Sequence, residues 1–399
     1  MKILIVDDHP VNLFVVEKIL KNAGYEDNVS LPSARALFDY LKIDSPGSAP
    51  PKADLILLDI MMPDMDGIET CRRIQQVEQL KEIPIIFVTA LEDSNKLAEA
   101  LDVGGHDYIT KPINKVELLA RIRVALRLKQ EKDWHAEQEQ KLSHELDLAM
   151  QIQKSLLNPP LNEKNIQIHV SHLPSNKLAG DMYYWHRFSD HKYGVILLDM
   201  MGHGISSSLI CMYISSVLRD SIKQLADPVL VIEELNRYMA LLANQTKEHN
   251  YYFTAIYLVI DTESKTVEYV NAGHPPGYAL VDSSEVISLD KGCCAVGFFE
   301  EIQITSTVLS YDEDIQLLLF TDGVYENSGK DEAAVLEKLK FMASQKWSGT
   351  GHSPIHMLGF QDQERPQKDD MCLLMIQGSS DRTPGPSLPN VNKGEMSFI

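Results

Sequence analysis

The stretch DLILLDIMMPDMDG, residues 54–67, carries a leucine-rich run directly into Asp59 and a turn-forming segment. A similar stretch, GVILLDMMGHG, follows at residues 194–204 and ends its apolar run at Asp199. A short apolar run before turn residues is typical of a buried strand, so each carboxylate is expected in a turn at the end of a strand. The two stretches are either parts of a duplicated domain or two separate sites built in the same way.

Length and composition narrow the class of protein. A chain of 399 residues is longer than one hydrophobic core usually organises, which predicts two domains. The net charge of -20 disfavours binding to nucleic acid or to an anionic membrane, because an acidic surface repels both. No apolar run approaches the ~18 to 20 residues that crossing a bilayer requires. The five cysteines show no CxxC spacing and no signal peptide is recognised, so we expect a cytoplasmic protein with reduced thiols.

Short apolar runs alternate with amphipathic segments over the first 125 residues. Strands are predicted at residues 3–6, 55–58, 85–88 and 108–110, and helices at residues 11–22, 68–79, 96–101 and from 114. This alternation predicts an α/β domain with a parallel sheet and helical crossovers. Residues 45–51, SPGSAPP, are expected to form a surface loop.

The segment over residues 114–157 contains neither proline nor glycine and is rich in strong helix formers. It predicts one continuous helix of ~65 Å at 1.5 Å per residue. Leu128, Leu142, Ala149 and Leu156 lie at multiples of seven. Two interpretations stay open: a short coiled coil that makes a homodimer, or a single solvated spacer helix.

Beyond residue 165 the pattern changes to longer strands joined by hairpin-like turns. Strands are predicted at residues 166–172, 193–198, 252–260, 266–271, 302–309 and 315–320, and helices at residues 206–224 and 228–242. This predicts a second α/β domain with largely antiparallel strands. The predicted organisation is therefore a domain over residues 1–125, a linker helix over 126–160, a second domain over 161–378 and a disordered tail over 379–399.

In the first domain, chemically active residues follow successive predicted strands: Asp7 and Asp8, then Asp59, then Thr89, then Lys111. In an open parallel sheet these strand ends share one edge, where ligands bind. The carboxylates suit Mg²⁺, and the lysine offsets charge on a phosphoryl group. Asp59 is then the expected phosphoryl acceptor. Because Mg²⁺ withdraws charge from the phosphoryl group, attack by the carboxylate on phosphorus requires little more than correct positioning.

The first domain resembles a response-regulator receiver domain in its DD pair, LLDIMMPDMDG, VTA and YITKP motifs. The resemblance implies a flavodoxin-like doubly wound fold, Mg²⁺ held by Asp8 and Asp59, and phosphorylation of Asp59 by a sensor histidine kinase. It further implies that Thr89 and Tyr108 are switch residues, and that the peptide bond before Pro112 is cis.

A second set of acidic residues lies in AGDMYYW, LLDMMGHG, LLFTDGVYEN and KDDMCLLMI, as Asp181, Asp199, Asp322 and the pair Asp369–Asp370. The chain has no HExxH motif and no cysteine pair of the zinc type, whereas carboxylates and carbonyls suit Mg²⁺ or Mn²⁺. Two such ions that share an aspartate can direct water at a phosphate ester.

The loop MGHGISSS, residues 201–208, allows two interpretations. One is a phosphate-cradling loop, but the lysine that such loops require is missing. The other makes Gly202 and Gly204 turn formers that open a helix at Ile205 and aim Asp199 at a metal. We favour the second.

These motifs, with NAGHPPG at residues 271–277, resemble the metal-dependent type 2C serine/threonine phosphatases. They are similar to the bacterial branch that contains the sporulation stage II phosphatase and the stress-response activators of sigma factors. The resemblance covers roughly residues 145–378, including the entry helix ELDLAMQIQKSLLNPP. It implies two packed, mainly antiparallel sheets flanked by helices, with two Mn²⁺ or Mg²⁺ ions.

The resemblance also implies roles for single residues. Asp181 is expected to bind a metal or its water, and Asp199 to bridge both metals beside the carbonyl of Met200. Asp322 and one of the pair Asp369–Asp370 are expected to bind one metal, with the assignment within the pair left open.

The sequence departs from the family pattern at Leu198, at Tyr184 and at His203. Leu198 replaces a glycine and Tyr184 replaces an acidic residue, with at most peripheral consequences expected. His203 is the candidate general acid, although we favour protonation of the leaving group by metal-bound water. His274 is expected to be structural.

The expected function is a phosphorylation-controlled response regulator that dephosphorylates phosphoserine or phosphothreonine on a regulatory protein. By resemblance, that partner is an anti-sigma-factor antagonist in a bacterial stress-response or partner-switching pathway. The alternative is a catalytically silent, receiver-controlled adaptor that only binds a sigma-factor regulator. A transcription regulator is disfavoured, because no basic recognition helix is found.

Overall fold

The structure is a computed structural model. It describes residues 1–43, 51–90, 94–202, 204–246, 251–328, 331–347, 353–358 and 367–379. The chain divides into two compact units, Met1–Ser143 and His144–Ile399. Within the described ranges, no helix is both long enough and apolar enough to cross a bilayer. The predicted loop over 45–51, apart from its last residue, and the predicted tail beyond Ser379 lie outside those ranges; Ser379 itself ends a strand.

The first unit contains a five-stranded parallel sheet in the order β2-β1-β3-β4-β5. Its strands are β1 (Ile3–Val6), β2 (Asn28–Leu31), β3 (Leu55–Leu58), β4 (Ile85–Thr89) and β5 (Asp107–Thr110), and its first four helices are α1 (Pro10–Asn22), α2 (Ala34–Leu41), α3 (Gly67–Gln75) and α4 (Ser94–Asp102). This order is that of the flavodoxin-like doubly wound fold, which confirms the predicted class. Direction along the sheet reverses between β1 and β3, and this is where the fold places ligands.

Alternate residues of each strand pack on opposite faces of this sheet. Leu4 and Val6 face the cluster formed with α2 and α3, whereas Ile3 and Ile5 face the cluster formed with the two remaining long helices, α1 and α5 (Lys115–Leu156). Both faces are covered, so the central strands β1 and β3 are apolar throughout instead of alternating with polar residues.

Helix α5 is one helix of 42 residues, as predicted. Its first turns bury Leu118, Ile122 and Leu126 against the parallel sheet. Further along, Leu128 and Leu142 are about half exposed, with relative exposures of 53% and 52%. Pairing of two chains through these leucines stays a prediction.

The second unit contains two six-stranded, mainly antiparallel sheets with helices, as predicted. Its strands are β6 (Leu161–Asn162), β7 (Ile166–Leu173), β8 (Asp181–Arg187), β9 (Lys192–Met200), β10 (Phe253–Asp261), β11 (Thr266–Ala272), β12 (Gly277–Val281), β13 (Glu285–Leu289), β14 (Gly292–Cys293), β15 (Thr307–Ser310), β16 (Asp314–Phe320) and β17 (Met371–Ser379). Its helices are α6 (Ile205–Leu225), α7 (Pro228–Thr246), α8 (Gly323–Glu326), α9 (Glu332–Ser344) and a 3-10 turn over Pro354–Leu358. The strand predicted at 302–309 is shorter than expected and begins only at Thr307.

One sheet has the order β14-β11-β10-β9-β8, with β15 paired to β11, and the other has the order β13-β12-β16-β17-β7-β6. Their inner faces share one core cluster, which includes Leu197, Ile256, Leu317 and Leu374. Helices α6 and α7 cover the outer face of the first sheet, and α9 covers the outer face of the second. The layers place the ends of β8, β9, β16 and β17 close to one another, and these ends carry the acidic motifs.

Candidate functional site

The carboxyl edge of the parallel sheet gathers the residues predicted for the first site. Asp7 and Asp8 follow β1, Asp59 follows β3, and Lys111 follows β5. The Lys111 ammonium donates to Asp7 Oδ2 and to Asp59 Oδ2, with both N–O distances 2.8 Å. Strand ends from three places in the chain thus converge on one acidic pocket.

Asp7 and Asp59 are both buried, with exposures of 4% and 3%. Burial raises the pKa of Asp59, and the hydrogen bond and charge of Lys111 oppose that shift only in part. Burial also lowers the pKa of Lys111, but its hydrogen bonds to the two carboxylates outweigh burial and raise it overall. The pocket therefore holds more negative charge than its lysine balances, which fits a divalent cation.

Side chains in and beside this pocket could also act as ligands of a divalent cation. Asp7, Asp8 and His9 offer ligand atoms within 4.8 Å of one another. Asp7 is oriented by the side-chain amide of Asn12, whose nitrogen lies 2.9 and 3.0 Å from its two oxygens. Sequence analysis did not single out Asn12, which lies on the first turn of α1 and belongs to no motif.

The two predicted switch residues lie on the neighbouring strands. Thr89 is buried at the end of β4, and Tyr108 is half-buried on β5. The peptide bond between Lys111 and Pro112 is cis, which confirms that prediction.

The second acidic cluster starts from a cross-strand pair in the second unit. Asp181 at the start of β8 is directly opposite Asp199 near the end of β9. Directly opposed residues in an antiparallel pair have Cβ atoms roughly 4.5–5.5 Å apart, so the two carboxylates project from the same face of the sheet.

Asp322 and Asp369 complete this cluster. Asp322 is the N-cap residue of α8, two residues after the end of β16, and Asp369 lies two residues before β17, which pairs with β16. Burial and the nearby carboxylate of Asp322 raise the pKa of Asp199 to about 9, and Asp369 contributes in the same direction. Asp199, Asp322 and Asp369 therefore interact electrostatically, and the cross-strand pairing of Asp181 with Asp199 adds the fourth carboxylate.

Asp181 is fixed by two groups that the sequence did not predict. Thr321 Oγ1 donates to Asp181 Oδ2 at 2.6 Å, and His172 donates from Nε2 to the carbonyl oxygen of Asp181 at 3.2 Å. Burial and the neighbouring Asp199 raise the pKa of Asp181 well above its usual value. Thr321 directly precedes Asp322 in the LLFTDG motif, and this adjacency was the available signal.

The side chain of Asp370 binds two backbone N–H groups. Its Oδ1 accepts from Ser175 N and its Oδ2 from Gly180 N, both at 2.6 Å. Both carboxylate oxygens are thereby used, whereas Asp369 acts electrostatically on Asp199. The two residues that the sequence left as alternatives thus have different surroundings, and which of them binds a metal stays a prediction.

The loop after Asp199 has the predicted turn. Gly202 and Gly204 have φ values of 78° and 98°, which favour glycine, and α6 begins at Ile205. A Cβ atom on Gly180 would lie 3.5 Å from the carbonyl oxygen of Met200, so that carbonyl lies beside the segment that carries Asp181. His203, the candidate general acid, lies outside the described residues.

The other departures from the family pattern are packing residues. Leu198 and Tyr184 both belong to the core between the first sheet and α6–α7, and the Arg219 guanidinium lies 5.0 Å from the centroid of the Tyr184 ring. His274 is buried in a turn in which Asn271 accepts from the His274 backbone N–H at 2.8 Å.

Residues 3–123 match the model of the response regulator receiver domain, and residues 189–378 match the model of the stage II sporulation protein E family. The second match contains Asp199, Asp322 and Asp369, and the first contains all predicted residues of the acidic pocket.

Known proteins also match only parts of this chain. The phosphoserine phosphatase RsbP of Bacillus subtilis (strain 168) is 36% identical over 232 residues, which are 58% of this chain and 57% of RsbP. The response regulator PleD of Caulobacter vibrioides is 36% identical over 128 residues, 32% of this chain and 26% of PleD. The chain thus spans little more than half of one relative and about a quarter of the other.

Among solved structures, the SiaA-PP2C domain of Pseudomonas aeruginosa aligns with 61% of this chain and 98% of its own length, at 19% identity and a TM-score of 0.49. The fold, the two acidic clusters and the two family matches all indicate the same two-domain organisation. The chain joins an N-terminal response-regulator receiver domain to a C-terminal phosphatase domain of the SpoIIE/PP2C type.

Proposed function

We propose that this protein is a metal-dependent phosphatase for phosphoserine or phosphothreonine on a regulatory protein, and that phosphorylation of Asp59 controls it. The observation that carries the proposal is the cluster of Asp181, Asp199, Asp322 and Asp369. Within it, burial and the carboxylates of Asp322 and Asp369 raise the pKa of Asp199 to about 9. A fold that maintains such repulsion loses stability unless cations relieve it.

The donors in this cluster fit two hard divalent cations. Four carboxylates and the Met200 carbonyl are all oxygen ligands, which Mg²⁺ and Mn²⁺ prefer. Bound ions would supply positive charge for the phosphate oxygens and an activated water. In this arrangement Asp199 would bridge the ions, Asp322 and Asp369 would bind one of them, and Thr321 would orient Asp181.

The substrate class is supported by the similarity to RsbP, which is a phosphoserine phosphatase. We extend this to an anti-sigma-factor antagonist as the phosphorylated partner, in a stress-response pathway that switches partners. A sensor histidine kinase would supply the phosphoryl group at Asp59, where Lys111 lies 2.8 Å from the carboxylate.

Helix α5 offers a route for control. Its start packs through Leu118 and Ile122 in the receiver core, and its end binds the segment that leads to Asp181 through Gln153. A change in the receiver that rotates or shifts α5 would then alter the position of Asp181. The control is a shift between two populations coupled through one rigid element.

The test uses the purified full chain with Mn²⁺ and a phosphoserine protein, with and without acetyl phosphate as phosphodonor. We expect Asp199→Asn to abolish hydrolysis and Asp59→Ala to remove the effect of the phosphodonor. Asp64→Asn, in the same loop as Asp59, is the matched control and should respond like wild type. Equal rates for wild type and Asp59→Ala under both conditions would disprove the coupling. Metal-independent capture of a partner without hydrolysis would instead favour the adaptor.

A further inference from the structure

Two adjacent phenylalanines lie exposed on the loop that precedes β15. Phe298 and Phe299 have exposures of 55% and 57%. The Phe298 ring packs edge-on against Tyr252 and Phe299, with centroid distances of 5.3 and 4.9 Å. Met201, 42% exposed, donates its backbone N–H to the carbonyl of Tyr252 at 3.1 Å. We call these four residues the aromatic rim; large exposed rings of this kind mark interaction surfaces.

The backbone that carries the two phenylalanines is held in place by a buried side chain. Asn236 on α7 accepts from Gly297 N at 2.7 Å and donates to the carbonyls of Phe299 and Glu300 at 3.1 and 2.9 Å. Gly297 has a φ of 85°, which favours glycine. The rings are therefore presented on an ordered loop, which lowers the entropy that binding must remove.

The aromatic rim lies near the second acidic cluster along the sheet. Val296 and Phe253 exchange backbone hydrogen bonds of 3.0 and 2.9 Å, and Phe253 pairs with Met200 on β9. Neighbouring strands lie ~4.8 Å apart, so Val296 lies roughly 10 Å from Met200. An extended peptide advances ~3.3 Å per residue and covers that distance in about three residues.

The charge near the aromatic rim also indicates which charges a bound partner segment should carry. Glu300 and Glu301 follow the two phenylalanines, so the surface beside the rim carries negative charge. A segment that crosses this surface gains from lysine or arginine between its phosphoserine and its apolar residue.

We infer that the aromatic rim is a substrate-docking surface. It binds an apolar side chain about three residues from the phosphoserine, in an extended and basic segment of the partner protein. The inference rests on the proposed phosphatase function and adds to it the residues that select the substrate.

The test compares two synthetic phosphoserine peptides with lysines around the phosphoserine. One has leucine three residues before and three residues after it, and the other has serine at both positions. p-Nitrophenyl phosphate, which is too small to reach the rim, serves as the third probe. All are assayed with Mn²⁺ on wild type, on the double variant Phe298→Ser/Phe299→Ser, and on Phe341→Ser. Phe341 is 66% exposed on α9 and is the matched control.

We expect wild type and Phe341→Ser to show a kcat/KM roughly tenfold higher for the leucine peptide, mainly through KM. The double variant should lose this preference and hydrolyse p-nitrophenyl phosphate at the wild-type rate. Hydrolysis by wild type without a preference, or a preference that survives in the double variant, would overturn the docking surface alone. No hydrolysis of any probe by wild type would overturn the proposed phosphatase function, and the docking surface with it.

Discussion

Gln153 binds both backbone polar groups of Ala179. Its Nε2 donates to the Ala179 carbonyl at 2.7 Å, and its Oε1 accepts from the Ala179 N–H at 3.0 Å. Gln153 is buried near the end of α5, and Ala179 lies two residues before Asp181. A primary amide satisfies a backbone N–H and a carbonyl together, so the end of this helix is fixed to the segment that leads into Asp181 and the second acidic cluster.

Gln153→Ala is expected to leave both groups of Ala179 unpaired in a buried position. We predict a loss of about 2–4 kcal/mol in the free energy of unfolding of the phosphatase domain, measured by urea denaturation. Mn²⁺-dependent hydrolysis of p-nitrophenyl phosphate should fall at least tenfold, because Asp181 is less well positioned. Gln151→Ala, two residues away and exposed, is the control and should behave like wild type. A Gln153→Ala variant with wild-type hydrolysis would contradict the positioning role.

Asp369→Asn is expected to lower the rate of hydrolysis, whereas Asp370→Ala is expected to lower the stability of the domain. Asp369 acts on Asp199 across the cluster, so Asp369→Asn should lower hydrolysis at least a hundredfold with little loss of stability. Asp370 accepts two backbone hydrogen bonds in a buried position, so Asp370→Ala should cost about 3–5 kcal/mol in stability. Mn²⁺ titration and urea denaturation of both variants separate the two effects, and interchanged phenotypes would reverse the assignment.

The metal-free phosphatase domain is expected to lose stability as pH rises. Burial and Asp322 raise the pKa of Asp199 to about 9 in the folded state, above the ~3.9 of an unfolded chain. The stabilising contribution is therefore present below about pH 4 and is lost as pH rises toward 9. Mn²⁺ needs the ionised carboxylates, so it should raise Tm more at pH 8 than at pH 6. Thermal unfolding with Mn²⁺ or EDTA measures this, and Asp199→Asn should remove the difference. A Tm increase that does not change with pH would refute the prediction.

Asp59→Asn is expected to stabilise the receiver domain at neutral pH. Burial raises the folded pKa of Asp59, so the ionised carboxylate costs stability above that pKa, in spite of Lys111. The amide should raise Tm by roughly 2–4 °C at pH 7.5, and the gain should disappear toward pH 4. The exposed Asp64→Asn variant should leave Tm unchanged at both pH values. A lower Tm for Asp59→Asn at pH 7.5 would show that the ion pair with Lys111 outweighs burial.

Much of the architecture could be predicted because the sequence patterns that indicate it lie within short stretches of the chain. An apolar run followed by an aspartate identifies a strand end, as at Asp59 and Asp199, and a segment without proline or glycine identifies α5. The resemblance between the two stretches is not a duplication, because one strand lies in a parallel sheet and the other in an antiparallel sheet. Strands such as β2 (Asn28–Leu31) were missed, since NVSL is short and partly polar.

The partners within the phosphatase cluster could not be predicted, because they come from distant parts of the chain. Gln153 and Ala179 are 26 residues apart, Thr321 and Asp181 are 140 apart, and Asp370 and Gly180 are 190 apart. Residue type and order were enough to indicate a carboxylate at each strand end. The different surroundings of Asp369 and Asp370 could not be predicted either, because the fold around β17 decides which carboxylate accepts backbone hydrogen bonds and which acts on Asp199.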